Sequence, residues 1–230
     1  MVMNYIKNGE SRGGAMIISG TEKLYKDYIR HLKERYFFSD GILYRMCQEN
    51  PDHKKQDVII GKILLIGRTY AAAIERRKDT GNYKGDDFYN DVVGPEMKKI
   101  GTNLDNRLDK LRKSNGLISD NLNEILGTHK FLMDFFNKIT GLEKRSLASK
   151  YLHFHCPEKF FIYDSRARSA IRKVLRKPYE EPQIVGFDSE YVDFVYKMLE
   201  LQKYLMGKGF SLEDTTPRKL DSFLLRYIDK

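Results

Sequence analysis

Apolar residues recur along most of this chain at three- and four-residue spacing, the pattern of helices with one buried face. From Thr21 onward Leu24, Tyr25, Tyr28, Ile29 and Leu32 predict a first helix, and residues from Asp40 to Gln48 a second, closed by the turn signal Asn50-Pro51. Val58 to Arg77 is the longest apolar-rich stretch; with its Ala71-Ala72-Ala73 run it predicts a central helix, apolar nearly all round. Lys78 to Gly101 is the least patterned region, because Gly81, Gly85, Gly94 and Pro95 interrupt any long element. Ser119-Asp120-Asn121 supplies capping residues ahead of Leu122, Ile125, Leu126, Phe131, Leu132, Phe135 and Phe136, a run that Gly127 can divide into two helices. Thr140-Gly141 ends it.

Ser146 to His155 is expected to be helical, and a further helix begins at Asp164, runs through Ala170, Ile171 and Leu175 and stops before Pro178. Pro178 to Gly186 reads as a polar loop. Ser189 to Leu205 is amphipathic and is followed by Gly207 and Gly209; Thr216-Pro217 opens a last helix that buries Leu220, Phe223, Leu224, Tyr227 and Ile228. No internal repeat and no convincing pair of alternating strands is present. The expectation is an all-α protein of nine or ten helices, with residues 1–20 a flexible leader and 21–230 a single helical domain.

Composition leaves that picture in place and adds a charge. The hydrophobic fraction is 41% and the charged fraction 32%, ordinary for a globular protein. Lys and Arg number 41 against 32 acidic residues, a formal net charge of +9, which favours polyanionic partners through release of condensed counterions. Two cysteines, Cys47 and Cys156, make neither a disulfide framework nor a zinc motif. There is no N-terminal apolar core of a signal peptide and no apolar run long enough to span a bilayer. A cytoplasmic monomer that uses no metal or cofactor and no membrane is the resulting expectation.

Candidate chemistry concentrates between Ile139 and Ala170. A turn at Gly141 between two helices can present backbone N–H groups at the next helix N-terminus, an arrangement that suits an anion, with Lys144 and Arg145 adding charge; the plainer alternative is an ordinary helix cap. On the helix that follows, Ser146 and Lys150 lie one turn apart, and Lys150 falls beside the buried stripe of Leu147, Tyr151 and Phe154. A lysine partly withdrawn from water can act as a nucleophile; the alternative is a lysine that reaches from the core edge to solvent. Phe160-Phe161-Ile162-Tyr163 then leads into Asp164, either a structural cap or a carboxylate held where positive charge develops. His153 and His155, two residues apart, point to different helix faces, which disfavours a metal site. The basic stretch Arg107 to Ser114 reads as surface. Arg68, Tyr70, Arg76, Arg77, Arg166 and Arg168 are candidates for strand or base contact, each with an ordinary surface role as the alternative.

Gly141-Leu142, Lys144, Lys150, Pro157 and Phe161-Ile162-Tyr163-Asp164, in the wording SKYLHFHCPEKFFIYDSR, resemble the helix–hairpin–helix DNA glycosylase superfamily, in particular its bacterial 8-oxoguanine-glycosylase-like branch. The resemblance spans Gly141 to Asp164, with a weaker echo in Lys62 to Arg77. It implies two helical lobes around a central cleft, double-stranded DNA carrying a modified or damaged base as partner, and excision of that base after it is flipped from the duplex. It further implies Asp164 as the catalytic carboxylate, a lysine amine that attacks the sugar in members with abasic lyase activity, and a role in repair or antiphage defence. Lys144 is the closer match in spacing to Asp164, and Lys150 the better placed beside the core. Gly141, Arg145, Ser146, Arg166, Arg168, Arg68, Tyr70 and His153 are the expected DNA contacts. The competing expectations are a helical nucleic-acid-binding module without catalysis and, more distantly, a helical protein-interaction domain.

Overall fold

The computed structural model describes residues 16–32, 38–76, 86–176 and 184–228. The first fifteen residues of the expected leader, Arg77, Gly81, Gly85, and Pro178 with its loop as far as residue 183 lie outside the described residues. In chain order the elements are β1 (Met16–Ile17), α1 (Thr21–Leu32), α2 (Phe38–Glu49), α3 (Gln56–Thr69), a π-helical turn (Tyr89–Val93), α4 (Gly94–Lys113) and a 3-10 turn (Ser119–Asn121). They continue with α5 (Leu122–Thr140), α6 (Arg145–His155), α7 (Ser165–Val174), β2 (Leu175–Arg176), α8 (Ser189–Gly207) and α9 (Pro217–Ile228). The protein is therefore all-helical apart from one two-residue ladder, with nine helices among the described residues. None is long and apolar enough to cross a membrane.

The chain divides into two compact units. The central unit comprises residues 37–115 and 123–160. In it α3 packs against α2, α4 and α6, and α2 also meets α6. Ile59, Ile63 and Ile66 of α3 are fully buried, as the apolar stretch predicts. That helix is shorter than expected, however. It stops at Thr69, and the alanine run lies outside it: Ala71 takes a left-handed φ of +52°, and Ala72 N–H donates to Gly67 O at 2.7 Å. The chain doubles back over Gly67, where an added Cβ would lie 3.1 Å from Ala73 Cα. Alanine's helix propensity is a weak prior that this return of the chain overrides.

The least patterned region likewise resolves differently. Gly94-Pro95 begins α4 directly after the π-helical turn, whose last bond runs from Gly94 N–H to Tyr89 O. Gly101 lies inside α4 because a Cβ there would stand 2.7 Å from His53 O. Arg107 to Lys113 is the C-terminal part of the same helix, with Lys110 and Lys113 exposed as expected of a basic surface stretch. Gly127 does not divide α5, which runs unbroken from Leu122 to Thr140.

The second unit comprises residues 1–36, 116–122 and 161–230. Here α7 packs on α8 and α9. The last residues of the expected leader take part: β1 pairs antiparallel with β2 (Met16 with Arg176, Ile17 with Leu175), and Ile18 N–H donates to Val174 O at 3.0 Å. Tyr25 of α1 is fully buried, its hydroxyl on Asp214 O at 2.6 Å and its ring edge-on to Phe210 and Phe223. Leu24, predicted for the same apolar face, is exposed. Phe161, Ile162 and Tyr163 are buried; Tyr191 donates to Phe161 O at 3.0 Å, and Tyr163 meets Phe194 edge-on.

Candidate active site

Between α5 and α6 the backbone turns at Gly141, whose φ of +72° is the left-handed conformation that glycine adopts without steric cost. Gly141 N–H donates to Asn137 O at 2.8 Å, and Thr140 Oγ1 accepts from Leu142 N–H while donating to Phe136 O. Lys144 is the residue flanking α6 and contributes no side-chain cap; its amine donates to Arg76 O. Arg145 pairs with Glu143 at 2.9 Å, and His129 Nε2 lies 3.3 Å from Arg145 O. Both cations beside the turn thus have protein partners.

One turn into α6 is the amine of Lys150. The residue is only 2% exposed. Its Nζ donates to Ser146 Oγ at 2.9 Å and to Tyr70 O at 3.2 Å, and stands 5.8 Å from the centre of the Tyr70 ring. The Tyr70 carbonyl is available because α3 ends there, one residue before the left-handed Ala71. The Tyr70 hydroxyl donates to Asp40 Oδ1 at 2.6 Å; Asp40, in the first turn of α2, is buried. Next along α6, His153 Nδ1 lies 2.8 Å from Phe160 O and its Nε2 2.7 Å from Tyr44 Oη. A carbonyl only accepts, so Nδ1 carries the proton and the Tyr44 hydroxyl donates to Nε2. The Tyr44 and Tyr70 rings both meet Phe154, at 4.9 and 5.3 Å between centroids. Lys150, Ser146, Tyr70 and His153 are thereby gathered with Asp40 and Tyr44 where α2, the end of α3 and α6 meet.

Arg68 is half exposed and ion-paired with Glu75 and Asp86, both at 3.2 Å. Lys144 is bonded to the Arg76 carbonyl instead of joining the Ser146 and Tyr70 acceptors. In the second unit Asp164 is the N-cap of α7: its backbone is extended and its Oδ1 accepts from Ala167 N–H at 2.8 Å. Arg166 is exposed on the first turn of α7. Arg168 lies 3.3 Å from Glu190, which also accepts from Tyr163 at 2.8 Å.

A second buried polar group in the central unit was not anticipated. His53, between α2 and α3, donates from Nδ1 to Asp105 Oδ1 at 2.5 Å and accepts at Nε2 from Tyr151 at 2.7 Å. His155 accepts at Nδ1 from Arg112 at 3.3 Å, which leaves its buried Nε2–H without a partner among the described residues. Lys62 is fully buried in α3 with its amine on Asn50 O and Asp52 O, and burial pushes its pKa down to about 8. Burial also lowers both histidines, His155 well below the usual value, against the opposing pull of Asp105 on His53. Cys47 and Cys156 are free, buried thiols pushed up to about 12 and about 11 by the same cause. Lys62 was visible in the sequence as a lone cation in an apolar run; Asp40, Tyr44 and Asp105 carried no local signal.

Among the described residues no cluster of three or more His, Cys, Asp or Glu side chains is arranged to hold a metal ion. No protein-family model, no curated protein and no solved structure matches the chain.

Proposed function

We propose that this protein is a DNA N-glycosylase with a helix–hairpin–helix glycosylase fold, acting as a monomer on duplex DNA. It excises a damaged or modified base, an 8-oxoguanine-like purine foremost, in repair or antiphage defence. The observation that supports this reading is the Lys150 amine, withdrawn from bulk water and held by acceptors that include Ser146 Oγ and Tyr70 O. Amines so held serve as nucleophiles in Schiff-base chemistry. In the proposed reaction the flipped nucleotide presents its sugar to Lys150, the C1′–N bond breaks with departure of the base, and a C1′–Nζ bond forms. Ring opening gives a Schiff base, from which elimination of the 3′-phosphate cuts the strand. Asp164 is the carboxylate proposed to stabilise positive charge on the sugar. Lys144 is the second choice of nucleophile, its amine already engaged by the Arg76 carbonyl.

Borohydride trapping on duplexes with an abasic site or 8-oxoguanine tests this directly. The expected result is a covalent adduct that persists in Lys144→Ala and disappears in Lys150→Ala. Asp164→Asn separates capping from catalysis, since asparagine caps as well as aspartate: the melting temperature is expected to hold while base release slows roughly 100-fold or more. An adduct undiminished in Lys150→Ala removes the lysine assignment.

A second reading has its own observation. Capping of α7 by Asp164 is by itself a sufficient role for that side chain, which suits a nucleic-acid-binding module without catalysis. Salt-dependent duplex binding with neither base release nor adduct decides for that reading.

A further inference from the structure

Helix α7 alone among the nine described helices combines four cations with no carboxylate in its sequence, SRARSAIRKV. Its two sides are sharply divided. Ala167, Ala170, Ile171 and Val174 are buried, whereas Arg166, Ser169, Arg172 and Lys173 are not. At 3.6 residues per turn these four fall within about a third of the circumference, and Arg166 to Lys173 spans about 10 Å of axis. Arg168, the remaining cation, is half-buried and lies 3.3 Å from Glu190.

We infer that the Arg166–Ser169–Arg172–Lys173 face of α7 is a docking surface for the phosphate backbone of duplex DNA. Cations in the last turn suit the helix dipole, but Arg166 sits in the first turn, where a cation opposes it. Three chemistries of partner bear a complementary charge, and the face itself separates them. A bilayer-binding helix inserts an apolar face, and here every apolar residue of α7 is taken by the core. A protein interface needs aromatic or aliphatic anchors at its centre, and the exposed face has none. A phosphodiester strand needs only donors and charge spaced along its length: guanidinium forks, an ammonium and a hydroxyl, as α7 presents. The proposal assigns the grip to Arg172 and Lys173 in addition to Arg166, and takes Arg168 out of it. It shares its partner with the proposed glycosylase activity but none of its chemistry.

The test is the affinity of the full chain for a short unmodified duplex between about 50 and 300 mM salt. For wild type, log K falls linearly with log salt. In Arg172→Ala/Lys173→Ala the slope is expected to become shallower by about 2, nearly one for each phosphate that is no longer neutralised, with the melting temperature unchanged. The Arg172→Gln/Lys173→Gln variant, with longer side chains, repeats the test should alanine disturb the helix end. Lys98→Ala/Lys113→Ala removes the same charge from exposed positions on α4 and is expected to leave the slope as it is. Equal loss in both double variants, or an unchanged slope in the α7 variants, overturns the inference. So does stronger binding to phosphatidylserine vesicles than to DNA, or no duplex binding by wild type. An α7-dependent slope with neither base release nor borohydride adduct keeps this surface and removes the glycosylase reading; base release or an adduct with an α7-independent slope does the reverse.

Discussion

His53 and His155, with ring centroids 5.1 Å apart, are both held neutral by burial and by the nearby cations Lys62 and Arg112. Asp105 opposes this at His53 alone. In the unfolded chain both protonate near pH 6.5. Below that pH the unfolded state therefore binds more protons than the native state, and stability falls as pH falls. Urea unfolding is expected to show a loss of about 2–3 kcal/mol between pH 7 and pH 5. The double variant His53→Gln/His155→Phe is expected to flatten that slope; an unflattened slope places the acid sensitivity elsewhere. Lys150 shows how much a single residue can reveal from sequence. Its place beside the buried stripe followed from helical periodicity, as did its reach to Ser146 one turn away. Its second acceptor did not: the Tyr70 carbonyl lies eighty residues away in sequence, where no local pattern points to it.

At the scale of elements, α1, α2, α5, α6, α7, α8 and α9 are legible because each has one apolar stripe and recognisable ends. The Asp164 cap, the Gly141 turn and the Pro217 start behave as their chemistry dictates. The end of α3 and the whole of α4 are not legible, because the return of the chain at Ala71 and the close contacts made at two glycines of α4 are tertiary. In sequence Gly94 looks like a breaker and Gly101 bounds an unpatterned region, yet in the fold both are close-approach sites that let α4 lie against the residues of α3 and the loop before it. Two substitutions make the distinction measurable. Gly101→Ala drives a Cβ to 2.7 Å from His53 O and is expected to cost about 2 kcal/mol or more, since backbone cannot give way as a side chain does. Gly61→Ala, with nothing within 4 Å of the added Cβ, is expected to stabilise by about 0.5–1 kcal/mol through helix propensity. Equal effects of the two in urea unfolding refute the argument.

At the scale of the molecule, the aromatic core sets the alkaline limit of stability. Tyr25, Tyr151 and Tyr191 are buried and raised well above the usual tyrosine value by desolvation. Unfolded tyrosines ionise near pH 10, so the unfolded state binds fewer protons than the native state above that pH, and stability falls as pH rises. Lys62, lowered to about 8, works in the opposite direction between about pH 8 and 10.4, but it is one group against three. Melting temperature is expected to decline between pH 10 and pH 11; a rise there shows that Lys62 dominates.

Sequence by itself determined what is local: an all-helical chain, most helix boundaries, the basic surplus, and a lysine beside a buried stripe. Those follow from periodicity, capping and charge, which act over a few residues. Tertiary structure alone decided where α3 stops, which glycines are contact points, that Lys144 and Arg68 are engaged by protein partners, and that Asp40, Tyr44 and Tyr70 surround the α6 polar face. The physical reason is range. A hydrogen bond or steric contact between residues tens of positions apart exists only once the helices have packed, and no pattern along the chain encodes its geometry.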